Sequence, residues 1–140
     1  MANLRHYPAR AELGLSLLLA EDAPDNQRLI CRLLQRLGCT VQLASDGQQA
    51  IELLRDLAEP LDAVLLDMQM PIVDGFEVAR WIRNQELDLP VFALTAMTGI
   101  EDRRRCADAG CSGFIAKPID RNELYDSLLG VGSRDAAPTA

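Results

Sequence analysis

Short apolar stretches of strand length alternate along this chain with amphipathic segments typical of helices, and this alternation restricts the possible folds more than any other feature. Parallel strands need crossover connections, and right-handed crossovers place helices on both faces of a sheet. The pattern therefore predicts an α/β domain built on a parallel sheet. The predicted strands are Leu15 to Ala20, Val41 to Ala44, Ala63 to Leu66, Val91 to Thr95 and Phe114 to Ala116.

Five helices are predicted between and after these strands, because apolar residues recur at helical spacing and capping residues stand at the ends. The first runs from Asp25 to Leu37, with Leu29 in its apolar face and Gly38 at its C-terminal cap. The others are a second helix between the cap Asp46 and Pro60, a third that carries Phe76, Ala79 and Ile82, a fourth from Ile100 to Ala109 closed by Gly110, and a fifth capped by Asp120 and Glu123.

The length of 140 residues is enough for one domain. Five β–α units favour an open, doubly wound sheet in strand order 2-1-3-4-5 over an eight-stranded barrel, which typically needs about 250 residues. The first strand is apolar throughout, as expected of a central strand that is covered on both faces. We expect the domain to occupy residues 14–130, with a linker-like lead over 1–13 and a tail over 131–140, as in a segment of a longer protein.

The composition argues against several classes of function. A formal net charge of −7 disfavours nucleic acid as a partner, since that affinity depends on lysine and arginine. The basic run at residues 103–105 is interpreted as a solvated helix face. No apolar run approaches the roughly 20 residues of a membrane span, so we expect a soluble, cytoplasmic segment, whose parent protein could still be membrane-anchored. The four cysteines form no CxxC pair and His6 stands alone in the lead, so a zinc site has almost no support.

Charged and hydroxyl-bearing side chains stand at the ends of four of the five predicted strands. Glu21 and Asp22 follow the first strand, Asp67 follows the third, Thr95 ends the fourth and Lys117 follows the fifth. Taken alone, Glu21 and Asp22 are better explained by a solvated turn or a helix cap, and Lys117 by a surface lysine. In an open parallel sheet, however, the carboxyl ends of the strands lie at one edge, where ligand sites are found. The sequence therefore predicts that these five side chains form one site.

The three carboxylates of this set need a cation, because like charges 4 Å apart repel by about 4 kcal/mol at an effective dielectric constant near 20. Carboxylate oxygens without a calcium-loop pattern suit Mg²⁺, or Mn²⁺ in its place. Glu21, Asp22 and Asp67, with a backbone carbonyl just after Asp67, could bind such an ion, while Lys117 and Thr95 contact phosphate oxygens. The arrangement suits phosphoryl transfer onto Asp67. Because the chain has neither GxxxxGK[ST] nor GxGxxG, the phosphoryl group must come from another molecule.

Four stretches give the chain a specific resemblance to a known family. They are LLLAEDAPDNQ (17–27), LLDMQMPIVDGFE (65–77), ALTA (93–96) and GFIAKPI (113–119). With these stretches the chain resembles, over residues 14–129, the receiver domains of two-component response regulators, and especially those attached to hybrid sensor histidine kinases. The resemblance implies the flavodoxin-like, CheY-like fold and a function as phospho-acceptor in a phosphorelay.

The resemblance also implies a role for each residue of the site. Asp67 is the phospho-acceptor, Thr95 and Lys117 contact the phosphoryl group, and the peptide between Lys117 and Pro118 is cis. On phosphorylation Thr95 and Phe114 move together, which switches the face formed by the fourth helix and the fifth strand. The implied ligands of Mg²⁺ are Glu21, Asp22, Asp67 and the main-chain carbonyl of Gln69.

The implied partners are a histidine kinase domain, in cis or in trans, as phosphodonor, and a histidine phosphotransfer protein as recipient. On this view the chain is not a conventional enzyme, because it only promotes its own phosphorylation and dephosphorylation. Two alternatives remain open. One is a receiver-like docking module that is never phosphorylated. The other is a Mg²⁺-dependent phosphatase acting through an aspartyl phosphate, although Gln69 stands where such enzymes carry a second aspartate.

Overall fold

The computed structural model describes residues 11–57 and 59–136 of the chain. The strands are β1 (Ser16–Ala20), β2 (Thr40–Ala44), β3 (Ala63–Asp67), β4 (Val91–Thr95) and β5 (Gly113–Ala116). They form one five-stranded sheet in the order β2-β1-β3-β4-β5, and every neighbouring pair is parallel. The predicted α/β fold with strand order 2-1-3-4-5 is therefore confirmed.

A helix follows each strand: α1 (Pro24–Arg36), α2 (Gly47–Arg55), α3 (Gly75–Asn84), α4 (Ile100–Asp108) and α5 (Arg121–Ala136). Within the residues that the structure describes, no helix is both long enough and apolar enough to cross a membrane. Asp46 caps α2 by accepting a hydrogen bond from the amide three residues on, and Asp120 accepts one from the amide of Asn122 at the start of α5. The carboxylate of Glu123 accepts from the amide of Ala116 at 2.8 Å, so it ties α5 to the end of β5.

Two expectations about the helices are wrong. α2 ends at Arg55 and not near Pro60, because Asp56 leaves the helical conformation (φ −103°, ψ 20°) while its amide closes the last turn on the carbonyl four residues back. Leu29 was expected in the apolar face of α1 but is 45% exposed. Its neighbour Ile30 is fully buried, and successive residues of a helix point in directions about 100° apart.

The sheet is covered on both faces, and each face has its own core. Helices α2, α3 and α4 pack on one face, and α1 and α5 pack on the other. Along β1, Leu18 enters the first core whereas Leu17 and Leu19 enter the second, because successive side chains of a strand point to opposite faces. This burial on both sides explains the continuous apolar sequence of β1.

The parallel register aligns the carboxyl ends of the strands. Ala20 of β1 pairs with Leu66 of β3, and Thr95 of β4 pairs with Ala116 of β5. The polar residues at or just after these positions therefore lie along the same edge of the sheet, as the sequence predicted. The fold thus places the candidate residues of four strands side by side.

Residues near both predicted domain limits also contact the fold. The amide of Ala11 donates to the carbonyl of Arg36 at 2.9 Å, and that of Leu13 donates to the carbonyl of Leu37 at 2.8 Å. Val131, within α5, is buried. The limits at residues 14 and 130 stay a prediction, since residues 1–10 and 137–140 of the predicted lead and tail lie outside the described residues.

Gly75, the first residue of α3, lies against the backbone at the end of β3. A Cβ atom at this position would lie 2.4 Å from the carbonyl oxygen of Asp67 and 2.6 Å from the Cα of Met68. We expect Gly75→Ala to lower the free energy of unfolding by roughly 1–3 kcal/mol, the usual cost of overpacking. Urea denaturation followed by circular dichroism measures this change.

Gly130→Ala in α5 is the matched control for Gly75→Ala. Nothing lies within 4 Å of a Cβ atom at Gly130, so alanine should leave stability unchanged or raise it by about 0.5–1 kcal/mol through helix propensity. Equal stability of the two variants would contradict the close approach of α3 to β3.

Candidate functional site

Three carboxylate side chains meet at the carboxyl edge of the sheet. One oxygen atom from each of Glu21, Asp22 and Asp67 lies within 4.8 Å of the other two. Glu21 is fully buried and Asp67 is only 4% exposed, whereas Asp22 is exposed. Glu21 and Asp22 directly follow β1, Asp67 ends β3, and these two strands are neighbours. The order of the strands therefore creates the cluster that the sequence predicted.

The ammonium group of Lys117 lies between two of these carboxylates. Its Nζ atom is 2.9 Å from Oε1 of Glu21 and 3.3 Å from Oδ2 of Asp67. Lys117 directly follows β5, and its amide donates to the carbonyl of Thr95 at 2.8 Å. The Lys117–Pro118 peptide is cis, as the resemblance implied. One positive charge thus faces a cluster of three carboxylates.

The loops after β3 and β4 orient Asp67 and Thr95. The amide of Gln69 donates to Oδ1 of Asp67 at 3.0 Å, so one carboxylate oxygen faces this amide and the other faces Lys117. Thr95 is buried, and its Oγ1 atom accepts from the amide of Met97 at 3.0 Å and donates to the Met97 carbonyl at 3.4 Å. The structure therefore places Thr95 at the edge of the site with its hydroxyl group engaged by its own loop.

Sequence reasoning gave no role to Gln27, which supports the acidic pair. Its Nε2 atom donates to the carbonyl of Glu21 at 2.6 Å and to Oγ of Ser45 at 3.4 Å. The carboxylate of Glu21 is held separately, because its Oε2 atom accepts from the amide of Ala23 at 3.0 Å. The sequence feature that could have indicated this role is a long amide side chain in the first turn of the helix that follows the acidic pair.

The surroundings shift the pKa values of the two groups at the centre of the site. Burial raises the pKa of Asp67 from 3.8 to about 6. The hydrogen bond from the amide of Gln69 opposes this shift, as does Lys117, whereas the negative charge of Glu21 adds to it. Burial alone lowers the pKa of Lys117, but its hydrogen bonds and ion pairs with Glu21 and Asp67 outweigh that effect, so its pKa is raised. At neutral pH Asp67 is therefore mostly ionised and Lys117 is protonated.

The cluster offers oxygen ligands that fit a small divalent cation. Oε1 of Glu21 is buried, and the Lys117 ammonium that lies 2.9 Å from it is shared with Asp67. A buried charged oxygen in this state is costly unless a further positive charge compensates it. Carboxylate oxygens are the ligands that Mg²⁺ and Mn²⁺ prefer. The residues present fit the predicted ion, and the carbonyl of Gln69 stays a prediction as an additional ligand.

Phe114 lies on β5, partly buried, and contacts α4. The guanidinium group of Arg103 stacks on its ring, with Cζ 4.5 Å from the ring centroid. Arg105 stacks on Phe76 in the same way, at 4.3 Å. The arginines of residues 103–105 are exposed, as expected of a solvated face. The sequence did not indicate that two of them also cover aromatic rings.

The family model of the response regulator receiver domain matches residues 17–129. The chain belongs to this family. The receiver domain is also similar to parts of longer histidine kinases. Hybrid signal transduction histidine kinase L of Dictyostelium discoideum is 36% identical over 121 residues, which cover 82% of this chain and 7% of that kinase. The receiver spans between 13% and 49% of the length of several other curated relatives. The predicted similarity to receivers of hybrid histidine kinases is confirmed.

Solved receiver structures share this fold. The receiver domain of sensor histidine kinase PA1611 from Pseudomonas aeruginosa PAO1 is 38% identical with a TM-score of 0.78, covering 86% of this chain and 98% of that one. That structure has a magnesium ion coordinated in its active site cleft. The receiver domain of Saccharomyces cerevisiae Ssk1, in complex with the histidine phosphotransfer signaling protein Ypd1, has 25% identity and a TM-score of 0.82, covering 88% of this chain and 92% of the matched one.

Ionisation of Asp67 should cost stability in the metal-free receiver. Its pKa is about 6 in the folded protein against 3.8 as the ordinary value, so the folded state binds more protons between these values. The free energy of unfolding therefore falls as pH rises through this window. We expect Asp67→Asn to raise it by about 1–3 kcal/mol near neutral pH, with the gain disappearing at about pH 4. Urea denaturation in the presence of EDTA at both pH values measures the difference.

Asp108→Asn, an exposed position in α4, is the control and should change stability by less than about 0.5 kcal/mol at either pH. Lower stability of Asp67→Asn at neutral pH would show that the ion pair with Lys117 outweighs the cost of burial.

Proposed function

We propose that this receiver accepts a phosphoryl group on Asp67 from a phosphohistidine, with Mg²⁺ as cofactor, and that phosphorylation switches the face formed by α4 and β5. The observation that carries this proposal is the environment of Asp67. It is a nearly buried carboxylate beside two further carboxylates and the ammonium group of Lys117. A helix cap or a structural ion pair needs no such combination, whereas phosphoryl acceptance uses every part of it.

Asp67 is the proposed nucleophile. One of its carboxylate oxygens attacks the phosphorus atom, the P–N bond to the donor imidazole breaks, and the electron pair returns to the nitrogen, which takes up a proton. The product is an acyl phosphate on Asp67. Attack of water on that phosphorus later releases inorganic phosphate and restores the carboxylate, so the domain acts as a timer.

The neighbouring groups compensate the charge of the transferred phosphoryl group. The ammonium of Lys117 already lies 3.3 Å from Asp67 and can contact a phosphoryl oxygen. The metal ligands would be Glu21, Asp22, Asp67 and the carbonyl of Gln69. When bound, Mg²⁺ supplies further positive charge to the phosphoryl oxygens. The magnesium ion in the cleft of the PA1611 receiver supports this assignment.

Thr95 and Phe114 are the proposed switch residues. The hydroxyl group of Thr95 is held by the backbone of Met97, and a phosphoryl group on Asp67 would offer it a charged and stronger acceptor. Movement of Thr95 toward that acceptor favours an inward position of the Phe114 ring. The local change in charge thereby alters the packing of α4 against β5.

The proposed phosphodonor is a histidine kinase domain, in the same chain or another one, and the proposed recipient is a histidine phosphotransfer protein. Similarity to a hybrid histidine kinase supports the first partner, and the Ypd1 complex of the Ssk1 receiver supports the second. We propose that this chain is the cytoplasmic receiver of a hybrid sensor kinase. Any kinase activity would then belong to other domains of that protein.

Phosphorylation can be tested by intact-protein mass spectrometry after incubation with Mg²⁺ and acetyl phosphate. We expect a single phosphoryl adduct that is absent from Asp67→Asn and absent in EDTA. Asp25→Asn is the matched control, since this aspartate stands close to the acidic pair in sequence but its side chain is 94% exposed. Absence of an adduct in the unmodified protein would favour the docking-module alternative, and an adduct on Asp67→Asn would place the acceptor elsewhere.

Removal of Asp22 should weaken Mg²⁺ binding, because it takes away one of the three carboxylates of the cluster. We expect the dissociation constant of Asp22→Asn to rise roughly tenfold or more, which corresponds to about 1.4 kcal/mol. Isothermal titration calorimetry measures it, with Asp25→Asn again as the control. An unchanged dissociation constant would exclude Asp22 as a ligand.

A further inference from the structure

Few apolar contacts hold α4 to the sheet. Within this helix only Cys106 is buried, together with Ala109 at its C-terminal cap, and Ile100 at its start is 79% exposed. A cavity of about 170 Å³ lies between the second half of α4 and β5, and Cys106, Cys111 and Phe114 are among its lining residues. Burial of so little apolar surface contributes little free energy to this contact.

Arg103 connects α4 to β5 beside this cavity. Its guanidinium group covers the ring of Phe114 at 4.5 Å, within the range of a cation–π contact. The neighbouring Arg104 instead makes an exposed ion pair with Glu101 on its own helix, at 3.6 Å. The two arginines therefore have the same charge and adjacent positions, but only Arg103 contacts the ring.

The ring of Phe114 can move toward Thr95, because only small side chains lie between them. Across the two strands Phe114 pairs with Ala93, and Ala116 pairs with Thr95. Because residues two apart on a strand share a face, these four side chains form one patch in which Phe114 and Thr95 occupy opposite corners. The other two corners carry only methyl groups, so little side-chain volume separates the ring from the threonine.

We propose that Arg103 is a positioning residue that holds the ring of Phe114 against α4 in the unphosphorylated receiver. The inference rests on the proposed function, because the alternative position of the ring, toward Thr95, is the one that phosphorylation would favour. An exposed cation–π contact changes the equilibrium between these two positions of the ring about two- to fivefold. Loss of Arg103 therefore shifts the ring toward Thr95 before any phosphoryl group is present.

The first test is the affinity for beryllofluoride with excess Mg²⁺, which mimics a phosphoryl group on an aspartate. We expect Arg103→Gln to bind about two- to fivefold more tightly than the unmodified protein. Arg104→Gln loses the same charge and should bind beryllofluoride with the affinity of the unmodified protein. Arg103→Lys keeps the cation, so its affinity should also stay close to that of the unmodified protein. In a Phe114→Leu background the effect of Arg103→Gln should disappear.

The second test uses fluorine NMR of protein labelled with 4-fluorophenylalanine, without Mg²⁺ or beryllofluoride. The Phe114 signal is assigned by its loss in Phe114→Leu. We expect Arg103→Gln to move this signal toward its beryllofluoride-bound position, and Arg104→Gln to leave it in place. Thermal unfolding of each variant confirms that it is folded.

The two tests separate failure of this inference from failure of the proposed function. Equal beryllofluoride affinities for all variants, with an unmoved Phe114 signal, would overturn the role of Arg103 and leave phosphorylation intact. If no variant binds beryllofluoride, the proposed function fails, and the fluorine signal of the free protein decides on Arg103 alone. In that case a fluorine–proton NOE from Phe114 to the methyl group of Thr95 that is stronger in Arg103→Gln than in Arg104→Gln supports the positioning role, and equal NOEs overturn it.

Discussion

The parallel order of the strands is the constraint on which the site depends. From β1 the chain first adds β2 on one side and then β3 on the other, so the winding reverses between β1 and β3. Helices α1 and α3 consequently leave these neighbouring strands toward opposite faces of the sheet. The crevice that opens between them is the place where open α/β sheets bind ligands, and here it holds the carboxylates of Glu21, Asp22 and Asp67.

The electrostatics of this crevice distinguish it from a structural ion pair. Burial of Glu21 and Asp67 is costly, and the single ammonium of Lys117 compensates only part of their charge. A fold that needed only stability would gain more from apolar residues of similar size at these positions. The remaining negative charge favours a divalent cation, and Lys117 favours an anionic group on Asp67. A carboxylate with a perturbed pKa, such as that of Asp67, is typical of functional sites.

The sequence was sufficient to predict the fold and the clustering of the candidate residues, because both depend on local periodicity and on strand ends. Glu21, Asp67 and Lys117 each follow an apolar stretch directly, so parallel topology alone brings them together. Features that depend on tertiary contacts were not predictable in this way. Gln27 reaches back from α1 to the carbonyl of Glu21, and Arg103 reaches from α4 to a ring on β5. Neither contact produces a periodic pattern in the sequence from which it could be predicted.

The same limit explains the errors in the helices. The apolar spacing in α1 included Leu29, but the width of the face that a helix buries is set by the surface beneath it, and Leu29 falls outside that face. In α2 the proline at position 60 marked a stop, whereas the backbone of Asp56 ends the helix earlier. A breaker in the sequence gives the last position that a helix can reach, while the actual end depends on local backbone geometry.

The unequal attachment of the helices explains why a charge on Asp67 would act on α4 more than on α3. Helix α3 begins at Gly75, packed on the backbone of Asp67, and it buries Val78 and Ile82 completely. Exposing each of these side chains would cost about 1.5–3 kcal/mol, so α3 resists displacement although it lies nearest to Asp67 in sequence. Helix α4 buries only Cys106 within its length. On the proposed function, the free energy that a phosphoryl group on Asp67 would supply would therefore act where the buried apolar packing is weakest, which is the contact between α4 and β5.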